Sequence, residues 1–417
     1  MAMKASGVPW IGDVPSEWTL GKVKNQFYAT KEIVGDKVDD FERLALTLGG
    51  VIKRSKEAND GLQPEKFDSY QILRKNELVF KLIDLANVAT SRVGLSPYTG
   101  IVSPAYIVLH DKKNGCPRYA EYFFLSMWMN EVFNHLGGDG VRSSLNVKDL
   151  LSIPFPQISE AEQQAIADYL DDRCSKIDEI IAEATASIEE YKELKQAVIF
   201  EAVTKGLDRN APMKDSGVEW IGNVPSHWQI IRLKYLMNEI NNRSETGEEE
   251  PLSVSQVLGV VPSSMIAVAN PASSTIGQKI VEPNDLVFNK LKAHLGVLFE
   301  SRYRGLVSPD YAVYRTNEKV IPKFLEYLFH TPACITEFTK YITGVAVGLM
   351  RLYTSDLFNI FIALPSMEEQ NRIVKYLNED IKMFDSLITE KQSLIDDLQA
   401  YKKSLIYEVV TGKRRVV

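Results

Sequence analysis

The chain has 417 residues, 48 Lys+Arg against 55 Asp+Glu, and three Cys, Cys116, Cys174 and Cys334. An apolar share of 45% and an aromatic share of 10% exclude wholesale disorder. Three scattered Cys without ligand spacing exclude a disulfide framework and a structural zinc site, and a formal charge of −7 speaks against strong nucleic-acid binding by this chain alone.

In chain order, the first segment is a turn-rich stretch, Ser6 to Trp18, with Gly7, Pro9, Gly12 and Pro15. Short apolar runs bounded by turns follow, Leu78–Phe80 and Ile101–Leu109, and they read as strands. A helical stretch covers Tyr119–Leu136. Then comes a long helical pattern in which Ile177, Ile180, Ile181, Ala184, Ile188, Tyr191, Leu194, Val198 and Ala202 recur at steps of three and four. Its span from Arg173 to Thr204 is 32 residues, about 48 Å at about 1.5 Å per residue. Glu160 and Glu162 suit a first helical turn, and Gly206 is a stop.

The whole order then recurs. Ser6–Trp18 and Ser216–Trp228 share ten of thirteen residues. Asn76–Phe80 recurs as Asn284–Phe288, Gly100–Tyr106 as Gly305–Tyr311, and Pro117–Phe124 as Pro322–Phe329. Strands recur at Leu286–Phe288 and Leu306–Tyr314, and a helical stretch at Lys323–Phe338. The second long stripe uses Ile381, Phe384, Ile388, Ile395, Leu398, Leu405 and Val409, preceded by Glu368 and Glu369 and stopped at Gly412. A period near 208 residues means two tandem modules, not a solenoid.

The expected fold is α+β. Two mixed α/β domains, 1–158 and 211–365, alternate with two long helices, in 159–210 and 366–417. An amphipathic helix of this length needs a partner. The natural one is its repeat, in an antiparallel coiled coil with an approximate two-fold axis.

Catalytic signatures are missing. There is no GxGxxG and no P-loop. Asn270-Pro271 lacks the residues of an amino-methyltransferase motif, and Pro309-Asp310 lacks a downstream acidic-x-Lys of a nuclease. The five His are dispersed, so no catalytic or metal-binding residue is nominated. The start lacks the apolar core of a signal peptide, and the longest apolar runs are far short of a membrane span. The sequence therefore reads as a soluble cytoplasmic protein with no membrane partner.

Candidate nucleic-acid contacts are basic and polar residues near Gly-rich turns, where binding residues concentrate. In the first copy these are Lys53, Arg54, Lys56, Arg92, Arg142, Ser143 and Ser144. In the second they are Lys290, Lys292, His294, Arg302, Arg304 and Arg351. Lys and Arg neutralise phosphates, and Arg reads guanine bidentately. Tyr98, Tyr106, Tyr303 and Tyr311 lie close by in sequence and are expected in the core.

The chain resembles the specificity (S) subunit of type I restriction-modification enzymes. The residues that carry the resemblance are the repeated Gly-Val-x-Trp-Ile-Gly-x-Val-Pro-x-x-Trp openings at 7–18 and 217–228. With them go Ile153–Pro156 and Ile362–Pro365, running into Glu162-Gln163 and Glu369-Gln370, and long helices ending in Ala202–Gly206 and Val409–Gly412. The resemblance implies two target recognition domains, each reading half of a bipartite double-stranded DNA site, and a helical spacer that sets their separation. It implies a non-catalytic subunit that binds two methyltransferase subunits and, through the complex, restriction/translocase subunits. Pro156, Glu162, Gln163, Pro365, Glu369 and Gln370 would belong to the docking surface. S-adenosylmethionine, ATP and Mg are expected in those partners and no cofactor in this chain. A coiled-coil scaffold without DNA specificity is the alternative.

The charge divides unevenly. Segments 1–158, 159–210, 211–365 and 366–417 carry +1, −7, −1 and 0. The acidity therefore belongs to the first long-helix segment, which should face a protein partner or solvent. Any basic face on the globular parts must be local.

Overall fold

The computed structural model describes residues 2–57, 66–83, 85, 92–112, 115–136, 144–266, 275–343 and 351–416. The chain forms two compact units that do not follow chain order. The first unit combines Met1–Thr185 with Ser393–Val417, and the second is Ala186–Gln392.

The first unit centres on a four-stranded antiparallel sheet ordered Phe27–Tyr28, Ile107–Asp111, Leu78–Lys81, Arg92–Leu95. Its register places Val79 against Val108 and Gly94. A hairpin, Leu44–Thr47 with Gly50–Lys53, and the pair Gln71–Leu73 with Gly100–Val102 complete the β-rich part. The second unit repeats this plan. Its sheet runs Met237–Ile240, Ala312–Thr316, Leu286–Phe288, Leu298–Glu300. Its hairpin is Leu252–Ser255 with Gly259–Pro262, and its extra pair is Lys279–Val281 with Gly305–Val307. Each expected run at 101–109 and 306–314 is thus two strands, separated by a Ser-Pro-x-Tyr turn.

The expected helical stretches are also divided. Tyr119–Leu136 is a helix Pro117–Met129 and a shorter one, Val132–Leu136, separated where Glu131 adopts φ 58°. Lys323–Phe338 is Pro322–Phe329 and Pro332–Tyr341. Pro332 cannot continue the first of these, and the Thr331 hydroxyl caps the second by accepting from Cys334 N at 3.3 Å.

The long helices are Glu160–Lys205, 46 residues, and Met367–Val410, 44 residues. At about 1.5 Å per residue each is about 66–69 Å long. The first begins 13 residues before Arg173. Its early turns bury Ile166, Ala167 and Leu170 in the core of the first unit, beside Phe123, Phe155 and Leu405. Both globular packing and the second long helix, through Leu405, Ile406 and Val409, cover that stretch.

Within each unit the two helices run antiparallel. In the first, Asp178 pairs with Lys402 at 2.6 Å, and Tyr169, earlier in its helix, lies by Arg414, later in the chain. In the second, Lys195 pairs with Asp385 at 2.6 Å, and Glu201 lies by Tyr376. Ile177, Ala184, Ile188, Phe384, Ile395, Leu405 and Val409 are buried as the stripe requires. Ile180 and Leu194 are exposed, at 44% and 51%, and fall outside the seam.

Candidate nucleic-acid interface

The Ser-Pro-x-Tyr turns, Ser103–Tyr106 and Ser308–Tyr311, are built alike. The Tyr N–H closes each turn on the Ser carbonyl, at 3.1 and 3.0 Å. The Ser hydroxyl accepts from the N–H of Ala105 or Asp310, at 3.3 and 3.4 Å. A buried side chain on the neighbouring strand pair braces each turn. Gln71, 2% exposed, donates through Nε2 to the carbonyls of Ser103 at 2.9 Å and Tyr106 at 2.7 Å. Lys279, 4% exposed, donates through Nζ to the Tyr311 carbonyl at 2.8 Å. Losing such a donor would leave a part-buried carbonyl without its partner, so the braces help hold both turns.

Basic residues converge on these turns. Burial pushes the Tyr106 phenol up, while Arg92, Arg43 and Arg54 pull it down; all three guanidiniums lie within electrostatic reach of it. Arg54 N–H also bonds the Arg43 carbonyl at 2.9 Å, and the Arg43 guanidinium lies 5.3 Å from the centre of the Phe67 ring. In the second unit, burial pulls the Lys279 ammonium down, against Glu239 and with Lys290 and Arg243. Arg351 approaches Asp310 of the turn at 3.9 Å.

The nominated residues therefore separate. Arg54 and Arg92 act electrostatically on Tyr106 of the first turn, Lys290 acts on Lys279 that braces the second, and Arg351 approaches Asp310 of the second. Arg43 and Arg243 join them, although neither was nominated from sequence. Their signal is pairing: Arg43 sits opposite Arg54, and Arg243 bridges Lys279.

The other nominees lie elsewhere or hold other partners. Lys53 is tied to Glu42 at 2.6 Å, which raises its pKa, and its Nζ lies 5.3 Å from the centre of the Tyr98 ring. Lys56 donates to the Val38 carbonyl at 2.7 Å. Arg304 pairs with Glu282 at 3.2 Å, and Arg302 lies within reach of Glu300 and Tyr327. Lys292 and His294 are exposed on the kinked 3-10 segment Lys290–Leu295. Ser144 is exposed and bridges Ile83. Arg142 and Ser143 lie outside the described residues. Of the tyrosines, Tyr106, Tyr303 and Tyr311 pack on the β-core, while Tyr98 is 38% exposed.

The residues assigned to partner docking are internal fasteners. Gln163, 2% exposed, accepts from Cys116 N at 2.9 Å and donates to the Ile158 carbonyl at 3.2 Å. Gln370, fully buried, accepts from Ile321 N at 2.9 Å and donates to the carbonyls of Lys319 and Pro365, both at 3.0 Å. Glu162 accepts the Trp18 indole N–H at 2.9 Å, and Glu369 that of Trp228 at 3.0 Å. Pro156 and Pro365 are buried, Pro156 in the strand pair opposite Leu20. A side chain consumed in this way is not a free docking group. These contacts instead attach the opening Trp turn of each repeat to the base of its long helix.

The far end of the other helix completes each attachment. Lys413 donates to the carbonyls of Ile11 and Asp13, and Lys205 to those of Ile221 and Asn223. Gly412 and Gly206, at φ 74° and 75°, turn the chain beside Trp18 and Trp228. Both the repeat's opening and the helix ends recur in the two copies, and these contacts are what they make in each.

Among the described residues no group of His, Cys, Asp and Glu could hold a metal ion, and no helix is long and apolar enough to cross a membrane. No family model matches the chain. It is 22% identical to the putative type I restriction enzyme MjaX specificity subunit of Methanocaldococcus jannaschii, over 97% of this chain and 96% of that one. It is 24% identical to the MjaVIII specificity subunit of the same organism, over 76% and 75% of the two chains. With the Escherichia coli EcoKI specificity subunit the identity is 22%, over 69% and 63%. Two solved structures share the fold. A chain from a type I R-M system aligns over 96% of this chain and 99% of its own, with a TM-score of 0.72 at 15% identity. The HsdS subunit from Thermoanaerobacter tengcongensis aligns over 96% and 98%, with a TM-score of 0.54 at 16% identity.

Proposed function

We propose that the chain is a type I restriction-modification specificity subunit, each of whose units reads one half of a bipartite duplex-DNA site. The observation that carries this reading is the shared turn. Both units hold a Ser-Pro-x-Tyr turn on a buried brace and bring cations from separate segments to it. A rigid turn among cations suits base-edge contact flanked by phosphate contact. The units are built alike but differ in side chains at the turn, as two different half-sites require.

The chain is non-catalytic in this reading. Methylation and cleavage belong to methyltransferase and restriction/translocase partners, which also carry S-adenosylmethionine, ATP and Mg. The long helices set the gap between half-sites and offer the methyltransferases their docking surface. The acidic excess of segment 159–210 supports a protein-facing role for the first helix. The near-neutral charge of the globular segments implies that partners contribute much of the phosphate contact.

The test is a gel-shift of the chain, assembled with its methyltransferase subunit, on genomic fragments over a salt series. The expected result is sequence-selective binding that weakens steeply with salt. Binding without selectivity, or none, would leave a coiled-coil scaffold as the better reading.

A further inference from the structure

The two turns differ at x, and a second position differs with it. The second unit has Asp310 where the first has Ala105. It also has Arg351 where the first has Ser144. These two are equivalent because each precedes a Leu whose N–H returns to the end of the central strand: Leu352 to the Lys290 carbonyl at 3.2 Å, Leu145 to the Leu82 carbonyl at 3.1 Å. One frame thus presents an acid and a guanidinium in one unit, and two small neutral residues in the other.

The charged pair does little for the fold. Its side chains are 67% and 38% exposed and stand 3.9 Å apart, a geometry that adds little stability. An acid is also an unexpected residue on a face that gathers cations, because it repels phosphate. It fits one feature of duplex DNA. The major-groove edge of cytosine offers an N4 donor, and that of guanine offers O6 and N7 acceptors. N4 and O6 are bonded to each other across the pair, about 2.9 Å apart. A carboxylate and a guanidinium a few ångströms apart complement that edge.

We propose that Asp310 and Arg351 together read one C·G base pair in the half-site bound by the second unit. The carboxylate accepts from cytosine N4, and the guanidinium donates to guanine O6 and N7. Without DNA the two stand 3.9 Å apart, beyond hydrogen-bond distance, and both remain open to solvent. Ala105 and Ser144 cannot make this contact, so the requirement belongs to one half-site alone. The inference rests on the reading of the units as half-site readers.

The experiment converts the second unit's pair to that of the first, D310A with R351S, in the chain assembled with its methyltransferase subunit. Equilibrium binding is measured on the wild-type target and on duplexes carrying each of the other three base pairs at every position of both half-sites. The expected result is loss of discrimination at one C·G position of one half-site, by about 5- to 150-fold, with every other position unchanged. An equal loss on all duplexes would mean that the residues serve affinity or folding, and would overturn the inference. So would unchanged discrimination. If the wild-type assembly itself shows no selectivity, the half-site reading fails first, and the two failures are distinct.

Discussion

Replacing Gly412 by Ala tests whether the opening turn of the first repeat clasps the end of the second long helix. Gly412 has φ 74°, and an added Cβ would lie 2.5 Å from Pro15 Cδ, 2.6 Å from Pro15 Cγ and 3.0 Å from the Trp18 ring. Pro15 is fixed in the strand Asp13–Pro15 and its ring cannot rotate away. The left-handed backbone alone costs an alanine about 1–2 kcal/mol. The overlap adds about 1–3 kcal/mol, for about 2–5 kcal/mol together. Gly7 supplies the control, because its φ is 76° and nothing lies within 4 Å of its Cβ position. Gly206 lies between them, with Glu369 at 3.1 Å and the Trp228 ring at 3.3 Å. The expected order of destabilisation is G7A, then G206A, then G412A.

Native-state hydrogen exchange reads this locally. Peptides covering 9–20 and 405–412 should exchange about 30-fold faster or more in G412A, and only about 5- to 30-fold faster in G7A. If G412A exchanges no faster than G7A, the helix end is not clasped.

Gln370→Ala should cost about 1–3 kcal/mol in urea unfolding, because it leaves the part-buried Ile321 N–H without its acceptor; a cost within error would show that the fastener does not matter. The His110–Glu77 contact, 2.7 Å, should make stability pH-dependent. The Glu77 hydrogen bond raises the His110 pKa against burial. Burial pushes the Glu77 carboxyl up, but His110 and the Arg74 N–H together hold it down. The histidine's share is present below its ordinary 6.5 and lost as pH rises through its higher folded value. The glutamate's share is present above its ordinary 4.5 and lost as pH falls through its lower folded value. The stability gap between wild type and H110A should therefore peak between these values and shrink above neutrality, and a gap that goes on growing above neutrality would contradict it. Removing four residues from the middle of the first long helix, with a matching four from the second, shortens the pair by about 6 Å. The methylated motif should keep its half-sites and change its gap; an unchanged gap would refute the ruler.

Much of this was legible in the sequence because the chain repeats. The collinear matches locate the opening turns, the strands and the helix ends, and each matched segment is a place where elements fasten together. The composition of the units was not legible. Periodicity tells which face of a helix is apolar but not which stretch of the partner covers it, so the return of 393–417 to the first unit had no local signal. The break at Glu131 carries no Pro or Gly, whereas the break at Thr331-Pro332 carries a cap and a proline that could have been read. Among the site residues, basic character alone did not separate Arg92, which reaches the turn, from Lys53, which Glu42 holds. Asp310 enters the sequence reading only as the first acid of an incomplete nuclease motif, because an acid is not sought among cations.

The most direct test of the account is the adenine methylome of cells that express the chain with its methyltransferase subunit. The account predicts methylation at one bipartite motif, two short unlike half-sites with a fixed gap, that disappears when the chain is omitted. A continuous motif, or the same motif without the chain, would contradict it.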